Sequence, residues 1–434
     1  MPRITSPRGW SRGFAAGVIV AALGACSSIL DVKNPNNVPE SALENPASAD
    51  AQANGTLAAV VRMLSATTVP YSVATDELDW IGSRDAWFDL ETGGLGNFLN
   101  EFTDGAFPDV GTARYLSDQA IRNLEAFDKA GTLRNRQSLA KSYLYGAVTY
   151  ASIADMYDDF AFSSKTVPAA PVGRANMVKL YDTAIAYLDK ALAIASAPTD
   201  RYNIIAYRAR VKHAKAVWAK ISPEGAVNTA NPLVNDAGAV ADANAAMALA
   251  GGDAKFNMVN NLEATAGINI WYEVNGRNEH RVGAAYTNLK DPISGATDPT
   301  ATASLAAFKA FGTQSGTHWM TSNRELRLIL AEAALAGGNS AEFTTQINTV
   351  RALDGKPAYA AQIPAQQMLA YERQAQLWLM RRRLADMYRF GQTDPKWAPN
   401  PNFKSAFGTK GLLFPIPNIE RLGNPCITNA SACK

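Results

Sequence analysis

The amino-acid sequence predicts a mainly α-helical fold, and two observations lead to this prediction. Long alanine-rich segments such as "MVKLYDTAIAYLDKALAIA" place apolar residues three and four positions apart, the spacing of one helical face. The residues on that face are Leu180, Ile185, Leu188 and Leu192. These segments are interrupted by two long stretches without regular spacing, about 75–109 and 251–321, which we interpret as ordered loop insertions.

The helices can be placed from the same periodicity. The first should begin near Ser48, whose hydroxyl can accept a hydrogen bond from a free backbone N–H of the first turn. The "Y-x-x-A-I-x-Y-L-x-K-A-L" pattern is similar to the second helix of a tetratricopeptide repeat, although successive copies are not evident. We therefore expect tetratricopeptide-like helical pairs that stack into a superhelix. Further helices are predicted at 112–130, 135–158, 176–196, 202–220, 322–337, 340–353 and 364–389.

The N-terminus carries the pattern of a lipoprotein leader. Three arginines precede the apolar stretch "FAAGVIVAAL", which is too short to span a bilayer, for which a helix needs about 20 residues. The tetrapeptide "LGAC" that follows looks like a bacterial lipobox, so we predict a signal peptide over 1–25 and a covalent lipid on Cys26. An ordinary secretory signal with an incidental Cys26 is the alternative. Because Ser27, and not aspartate, follows the cysteine, outer-membrane delivery is expected.

The remainder, 26–434, contains no low-complexity linker and is predicted to be a single helical binding domain. The chain has a formal net charge of +2, and loss of the three leader arginines lowers it to −1. This near-neutral net charge argues against nucleic acid as a partner.

Near the C-terminus, Cys426 and Cys433 could close a small disulfide loop in an oxidising compartment, or remain two free thiols.

The residue types offer little support for catalysis. The chain has three histidines, and no zinc-protease, P-loop, dinucleotide-binding or nucleophile-elbow motif occurs in its sequence. We expect no cofactor and no metal site built from Cys and His, although the Asp-bearing loops could accommodate a calcium ion without specifying one. Paired carboxylates of a glycosidase can lie far apart in sequence, so a surface glycoside hydrolase or lyase stays an alternative.

Loop aromatics are the better candidates for function. An aromatic ring in a polar loop can stack on the apolar face of a sugar or hold a peptide, while nearby polar groups give directional hydrogen bonds. The alternative for each ring is that it fills the core beneath its own loop. The candidate ligand-binding residues are Asp76, Trp80, Arg84, Trp87, Trp271, Asn275, Arg277 and Trp319.

The C-terminal part resembles a known family. The helix "YERQAQLWLMRRRLADMYRFG" is similar to the signature of the SusD/RagB outer-membrane nutrient-binding lipoproteins, and "LLFPIPNIERLGNP" is similar to their C-terminal close. "LRLILAEAAL" with "INTVRA" and the start "CSSILDVKNPN" add to the resemblance. The signature positions that match are Glu372, Arg373, Leu377, Arg383, Asp386, Arg389 and Gly391, whereas Gln374, Gln376 and Met380 depart from it. We interpret the charged positions as structural, forming helix-surface ion pairs.

The resemblance implies a SusD-like helical fold with tetratricopeptide-like pairs, tethered by lipid to the outer membrane and facing the cell surface. It further implies a partner, a SusC-like TonB-dependent barrel transporter, and an oligosaccharide or peptide ligand that is bound without chemistry. The leading hypothesis is a nutrient-binding surface lipoprotein, with a protein-binding helical adaptor as a further alternative.

Overall fold

The structure is a computed structural model that describes residues 40–222, 224–260, 269–313 and 316–433. Helices dominate it, which confirms the mainly α-helical prediction. The α-helices of the described residues are α1 (Ala49–Val73), α2 (Ala86–Glu91), α3 (Glu101–Lys129), α4 (Arg136–Met156), α5 (Val178–Ile194), α6 (Pro198–Ile221), α7 (Ala237–Leu249), α8 (Ala284–Thr287), α9 (Pro299–Ala310), α10 (Asn323–Ala336), α11 (Ser340–Leu353), α12 (Ala365–Gln376), α13 (Arg383–Arg389), α14 (Asn418–Gly423) and α15 (Pro425–Thr428).

Side-chain caps define several helix starts. Asn100 accepts hydrogen bonds from the backbone N–H groups of Phe102 and Thr103 at the start of α3, and Asn135 accepts one from Gln137 at the start of α4. Helix α1 begins directly after Ser48, as predicted, but the Ser48 hydroxyl makes no cap bond. It donates to the carbonyl of Asn45 at 2.7 Å instead.

Successive long helices pack side by side from α3 to α7, and α1 packs on α3 and α4. Gly146 shows how closely these helices approach: a Cβ there would meet Ile121 Cδ1 at 2.8 Å and the Tyr187 ring at 3.2 Å. The apolar faces form one large buried core that includes side chains from α1 through to Phe414. The predicted side-by-side helical pairs are therefore present.

Two short antiparallel sheets tie the loop insertions to the helices. Strand β1 (Leu78–Trp80) pairs with β3 (His280–Val282), with Asp79 opposite Arg281. Strand β2 (Lys255–Asn260) pairs with β4 (Gly316–Ser322), with Asn257 opposite Trp319 and a bulge next to Phe256. A short π-helix, Tyr272–Gly276, precedes β3. The two stretches that the sequence marks as insertions thus meet each other in space.

The described helices differ from the predicted ones in three respects. Helix α3 begins at Glu101, inside the predicted 75–109 insertion, because the Asn100 cap sets its start. Six further helices have no predicted counterpart, with α2 inside the 75–109 insertion and α8 and α9 inside the 251–321 insertion; the other three are α7, α14 and α15. The predicted 364–389 helix is broken between α12 and α13, where Leu379 and Arg381 adopt left-handed φ angles of 58° and 60°.

The charged residues of the C-terminal signature are buried, which corrects the prediction of surface ion pairs. Arg389 has no exposed surface and pairs with both Glu332 and Asp386. Arg373 also pairs with Asp386, with 2.9 Å between Nε and Oδ2. Glu372, also fully buried, accepts hydrogen bonds from Arg351 at 2.7 Å and from Lys356 at 2.8 Å. These ion pairs link α10, α11, α12 and α13 from inside, where no water competes.

The C-terminal cysteines lie next to each other, with 5.5 Å between the Cα atoms of Cys426 and Cys433, a separation that a disulfide spans.

The predicted signal peptide, 1–25, and the predicted lipid site, Cys26, lie outside the described residues. Among the helices that the structure describes, none combines the length and apolar character needed to cross a membrane.

Candidate functional site

One group of predicted site residues gathers around the buried carboxylate of Glu279. Its Oε1 accepts hydrogen bonds from the Trp80 indole at 3.1 Å and from the backbone N–H of Arg84 at 2.9 Å. Arg277 Nε donates to Oε2 at 3.2 Å. Burial opposes ionisation of this carboxyl, but the bonds from Arg84, Trp80 and Arg277 outweigh it and lower the pKa of Glu279 to about 2. This carboxylate, ionised at neutral pH, joins the two insertions.

Two of the candidate tryptophans are core residues, which corrects the expectation that they contact ligand. The Trp87 ring is 0 % exposed and stacks on Phe102 with 3.5 Å between ring centroids. The Trp271 ring is 2 % exposed and packs against Phe308 and His318. A ring without accessible surface cannot stack on a sugar, so both fill the core beneath their loops.

Asp76 and Asn275 are also engaged within the protein. Asp76 is buried and accepts hydrogen bonds on both oxygens from Arg383, at 2.7 and 2.5 Å. The Asn275 amide donates to the carbonyls of Phe308 and Gly312, which fixes the end of α9. These two side chains hold the insertions in place, and the expectation that they bind ligand stays a prediction.

Trp319 is the candidate that lines a cavity. Its half-buried ring lies on β4 beside a cavity of about 270 Å³, formed between the β2–β4 sheet, α9 and the segment that connects α12 to α13. Trp378 lies next to it, with 6.2 Å between ring centroids at 45°. Met380 and the small side chains of Ala303 and Ala307 complete the apolar part of the lining.

Part of the cavity lining is a hydrogen-bonded polar cluster. Arg324 donates to Asp354 at 2.6 Å and to the Gln376 side chain at 2.9 Å. Asp354 also accepts from Thr300 Oγ1 at 2.5 Å and from the Gln376 amide at 3.1 Å. Burial opposes ionisation, but the bonds from Arg324, Thr300 and Gln376 prevail and lower the pKa of Asp354. The cluster is therefore charged at neutral pH and already oriented.

Some polar groups of the lining are free to bind a ligand. Thr321 belongs to the lining, but its hydroxyl is buried, where it has no hydrogen-bond partner among the described residues. Such an unpaired buried hydroxyl loses free energy relative to water. At the edge, Lys255 and Asn257 of β2 are exposed, and Ser304 of α9 faces the same space.

The cavity contains residues that sequence reasoning missed. Arg324, Asp354 and Gln376 lie on helices or directly after one, where polar side chains are ordinarily solvent-facing. Trp378 is a buried residue of the core, and it also lines the cavity. The departure of Gln376 from the signature pattern was the one available signal. Within the described ranges, no group of three or more His, Cys, Asp or Glu could hold a metal ion.

The fold is SusD-like. Similar solved structures include a SusD homolog from Bacteroides thetaiotaomicron VPI-5482, which shares 14 % identity and a TM-score of 0.62, with 89 % of this chain and 98 % of that chain covered. A SusD-like carbohydrate binding protein from Bacteroides vulgatus ATCC 8482 shares 13 % identity and a TM-score of 0.58, with 88 % and 97 % covered. A SusD superfamily protein from Bacteroides fragilis shares 13 % identity and a TM-score of 0.61, with 89 % and 99 % covered. No protein-family sequence model and no curated protein sequence matches the chain.

Proposed function

We propose that the protein is a carbohydrate-binding protein of the cell surface, and that the cavity beside Trp319 holds part of an oligosaccharide. The observation that carries this proposal is the half-buried Trp319 ring next to the oriented Arg324–Asp354 pair in one cavity. Sugars present an apolar ring face and hydroxyls at fixed angles, and this combination of side chains suits both.

The volume of the cavity favours recognition of the end of an oligosaccharide chain. A volume of about 270 Å³ is just below the roughly 300–1,000 Å³ typical of pockets that enclose a drug-sized ligand. We therefore expect a terminal unit to enter the cavity while the rest of the chain lies outside, near Lys255 and Asn257. The similarity to a structure described as a carbohydrate binding protein supports this ligand class.

Binding without chemical conversion is the activity we propose. The Asp354 carboxylate is bonded to Arg324, Thr300 and Gln376, which suits hydrogen bonding to hydroxyls and does not suit proton donation. An oligosaccharide incubated with the protein should be recovered intact by chromatography. Hydrolysis that disappears in an Asp354→Asn variant would contradict this assignment.

Calorimetric titration tests the binding site. Oligosaccharides prepared from starch, cellulose, xylan and mannan, together with a set of short peptides, would be titrated into the protein and into Trp319→Ala. We expect heat with at least one oligosaccharide and an affinity about tenfold lower in Trp319→Ala, which corresponds to about 1.4 kcal/mol. Phe407→Ala is the matched control, since that ring is 57 % exposed and does not line the cavity. Heat released only with peptides would overturn the proposal, and so would an equal oligosaccharide affinity of Trp319→Ala and Phe407→Ala.

We further propose that lipid on Cys26 anchors the protein in the outer membrane and that a SusC-like barrel receives its ligand. The leader and "LGAC" support the anchor, and the SusD-like fold supports the partner. Metabolic labelling with a palmitate analogue, followed by membrane fractionation, should show lipid on the wild type and none on Cys26→Ser. Affinity purification should recover a large TonB-dependent barrel with the protein. Equal labelling of Cys26→Ser would refute the anchor, and purification without any barrel would refute the partner.

A further inference from the structure

A second, smaller cavity lies in the protein interior, where α4, α5 and α6 meet the segment that connects α12 to α13. Its volume is about 30 Å³. The lining includes Tyr181, His213, Arg373, Arg381 and Arg382, all of them buried with 2 to 8 % of their surface exposed. Two carboxylates, Asp155 and Asp386, also line the cavity, and each of them is paired with an arginine. Charged groups are therefore concentrated around a space that holds two or three water-sized particles, at about 10–15 Å³ for each.

Arg381 is the unusual member of this lining. Its Nη1 donates to Thr68 Oγ1 at 3.3 Å and its Nη2 contacts the sulfur of Met320 at 3.6 Å, so both contacts are to neutral groups. The guanidinium forms no ion pair with a carboxylate of the described residues. Burial, helped by the positive charges of Arg382 and Arg210, lowers the pKa of Arg381 to about 10, although Tyr207 and Asp155 act in the opposite direction.

The neighbouring arginines already use the available acids. Arg210 pairs with Asp155, and Arg382 pairs with Glu325 at 2.7 Å. Arg373 and Arg389 share Glu332 and Asp386. Arg381 is thus a fifth buried arginine beside four carboxylates.

The next buried acid does not restore the balance. Glu77 accepts hydrogen bonds from Ser72 and from the backbone of Leu379, and burial raises its pKa to about 7. Its carboxyl is therefore only partly ionised at neutral pH. This group of five arginines and four paired carboxylates keeps an excess of one positive charge, for which burial without a counter-charge is costly.

Hydrogen-bond donors are in excess as well. On the lining, Arg373 Nη1 is buried and makes no hydrogen bond among the described residues, although it lies 3.8 Å from Glu332 Oε2. Water in the cavity could accept from such donors, but water would leave the extra charge uncompensated.

We propose that this cavity binds a monatomic anion, chloride under ordinary conditions. The proposal combines a guanidinium without a carboxylate partner among the described residues, an N–H of Arg373 without a hydrogen bond, and a volume too small for a polyatomic anion such as sulfate.

The proposed anion site lies next to the segment that connects α12 to α13, residues 377–382. This segment presents Trp378 and Met380 to the larger cavity, and Arg381 and Arg382 to the smaller one. Its backbone is held in the left-handed region at Leu379 and Arg381, which non-glycine residues rarely adopt. A bound anion would stabilise this conformation by fixing Arg381. The inference does not depend on which ligand occupies the larger cavity.

Bromide is the probe for the site, because it is chemically close to chloride and scatters anomalously. Crystals grown in sodium bromide should show an anomalous peak between Arg381 and Arg373. Thermal unfolding in sodium chloride and in sodium methanesulfonate, at equal ionic strength, gives a second readout. If the anion binds only the folded state, raising chloride to about a hundred times its dissociation constant should raise the melting temperature on the order of 2–5 °C.

The variants test which residue is responsible. Arg381→Gln should lose the chloride response, whereas Arg62→Gln, a change at an arginine whose side chain is 51 % exposed, should keep it. If Arg381→Gln fails to fold, the crystallographic peak of the wild type decides. Density at the level of water with no anomalous signal, or equal melting temperatures of the wild type in both salts, would overturn the proposal.

Discussion

The buried carboxylate of Glu332 gives a quantitative test of the interior ion pairs. Its oxygens accept hydrogen bonds from both Nη atoms of Arg389, from the backbone N–H of Val234 at 3.0 Å, and contact His213 Nε2 at 2.9 Å. Burial alone would raise the pKa of Glu332, but the charge of Arg389 and the bond to His213 hold it well below its ordinary value. The carboxyl is therefore ionised, and Glu332→Gln removes a charge from a site with 0 % exposure.

The expected loss of stability follows from the partners that remain. Removing one member of a buried ion pair costs about 3–5 kcal/mol, since the other charge stays buried. Arg389 keeps Asp386 at 2.9 Å, so we place Glu332→Gln at the lower end, about 3 kcal/mol. The double variant Glu332→Gln/Arg389→Gln should lose less than the sum of the single variants, because both act on one contact.

Urea denaturation followed by circular dichroism measures this loss. Glu44→Gln is the control, since Glu44 is exposed and its substitution should change the free energy of unfolding by no more than about 0.5 kcal/mol. A loss below about 1 kcal/mol for Glu332→Gln, or additive single variants, would show that the pair is not both charged and buried.

Three further predictions rest on other features. The carboxylates of this ion-pair network have pKa values below those of the unfolded chain, so their contribution to folding stability is present above about pH 4 and is lost as the pH falls further. The melting temperature should therefore drop steeply below about pH 4. A melting temperature that does not change with pH in this range would contradict the assignment. Gly316→Ala would bring a Cβ within 2.0 Å of the Trp271 indole and should lower the free energy of unfolding, measured by thermal unfolding, on the order of 1–3 kcal/mol. The control is Gly111→Ala on α3, where a Cβ would meet no atom within 4 Å, so this substitution should be neutral or stabilising. Equal effects of the two substitutions would refute the packing at β4. Iodoacetamide should label Cys426 and Cys433 only after reduction, as read by mass spectrometry, and labelling of the unreduced protein would exclude the disulfide.

Helical segments were predictable because their signal is local. The spacing around Leu188 and the alanine content of α5 depend only on neighbours along the chain, so periodicity located the helix within a few residues. The break between α12 and α13 was not predictable in this way. The left-handed backbone at Leu379 and Arg381 is held by contacts from residues far away in sequence, such as Glu77 and Thr68.

The sequence by itself determined the helical class, the two insertions and the aromatic residues worth testing. Only the tertiary structure decided which of those aromatics are accessible, since Trp87 and Trp319 both lie in insertions and differ in what packs over them. Burial is a sum over non-local neighbours, and no local pattern reports it. The same reason explains why Asp354 and Gln376, distant in sequence, form one polar cluster with Trp319 beside it.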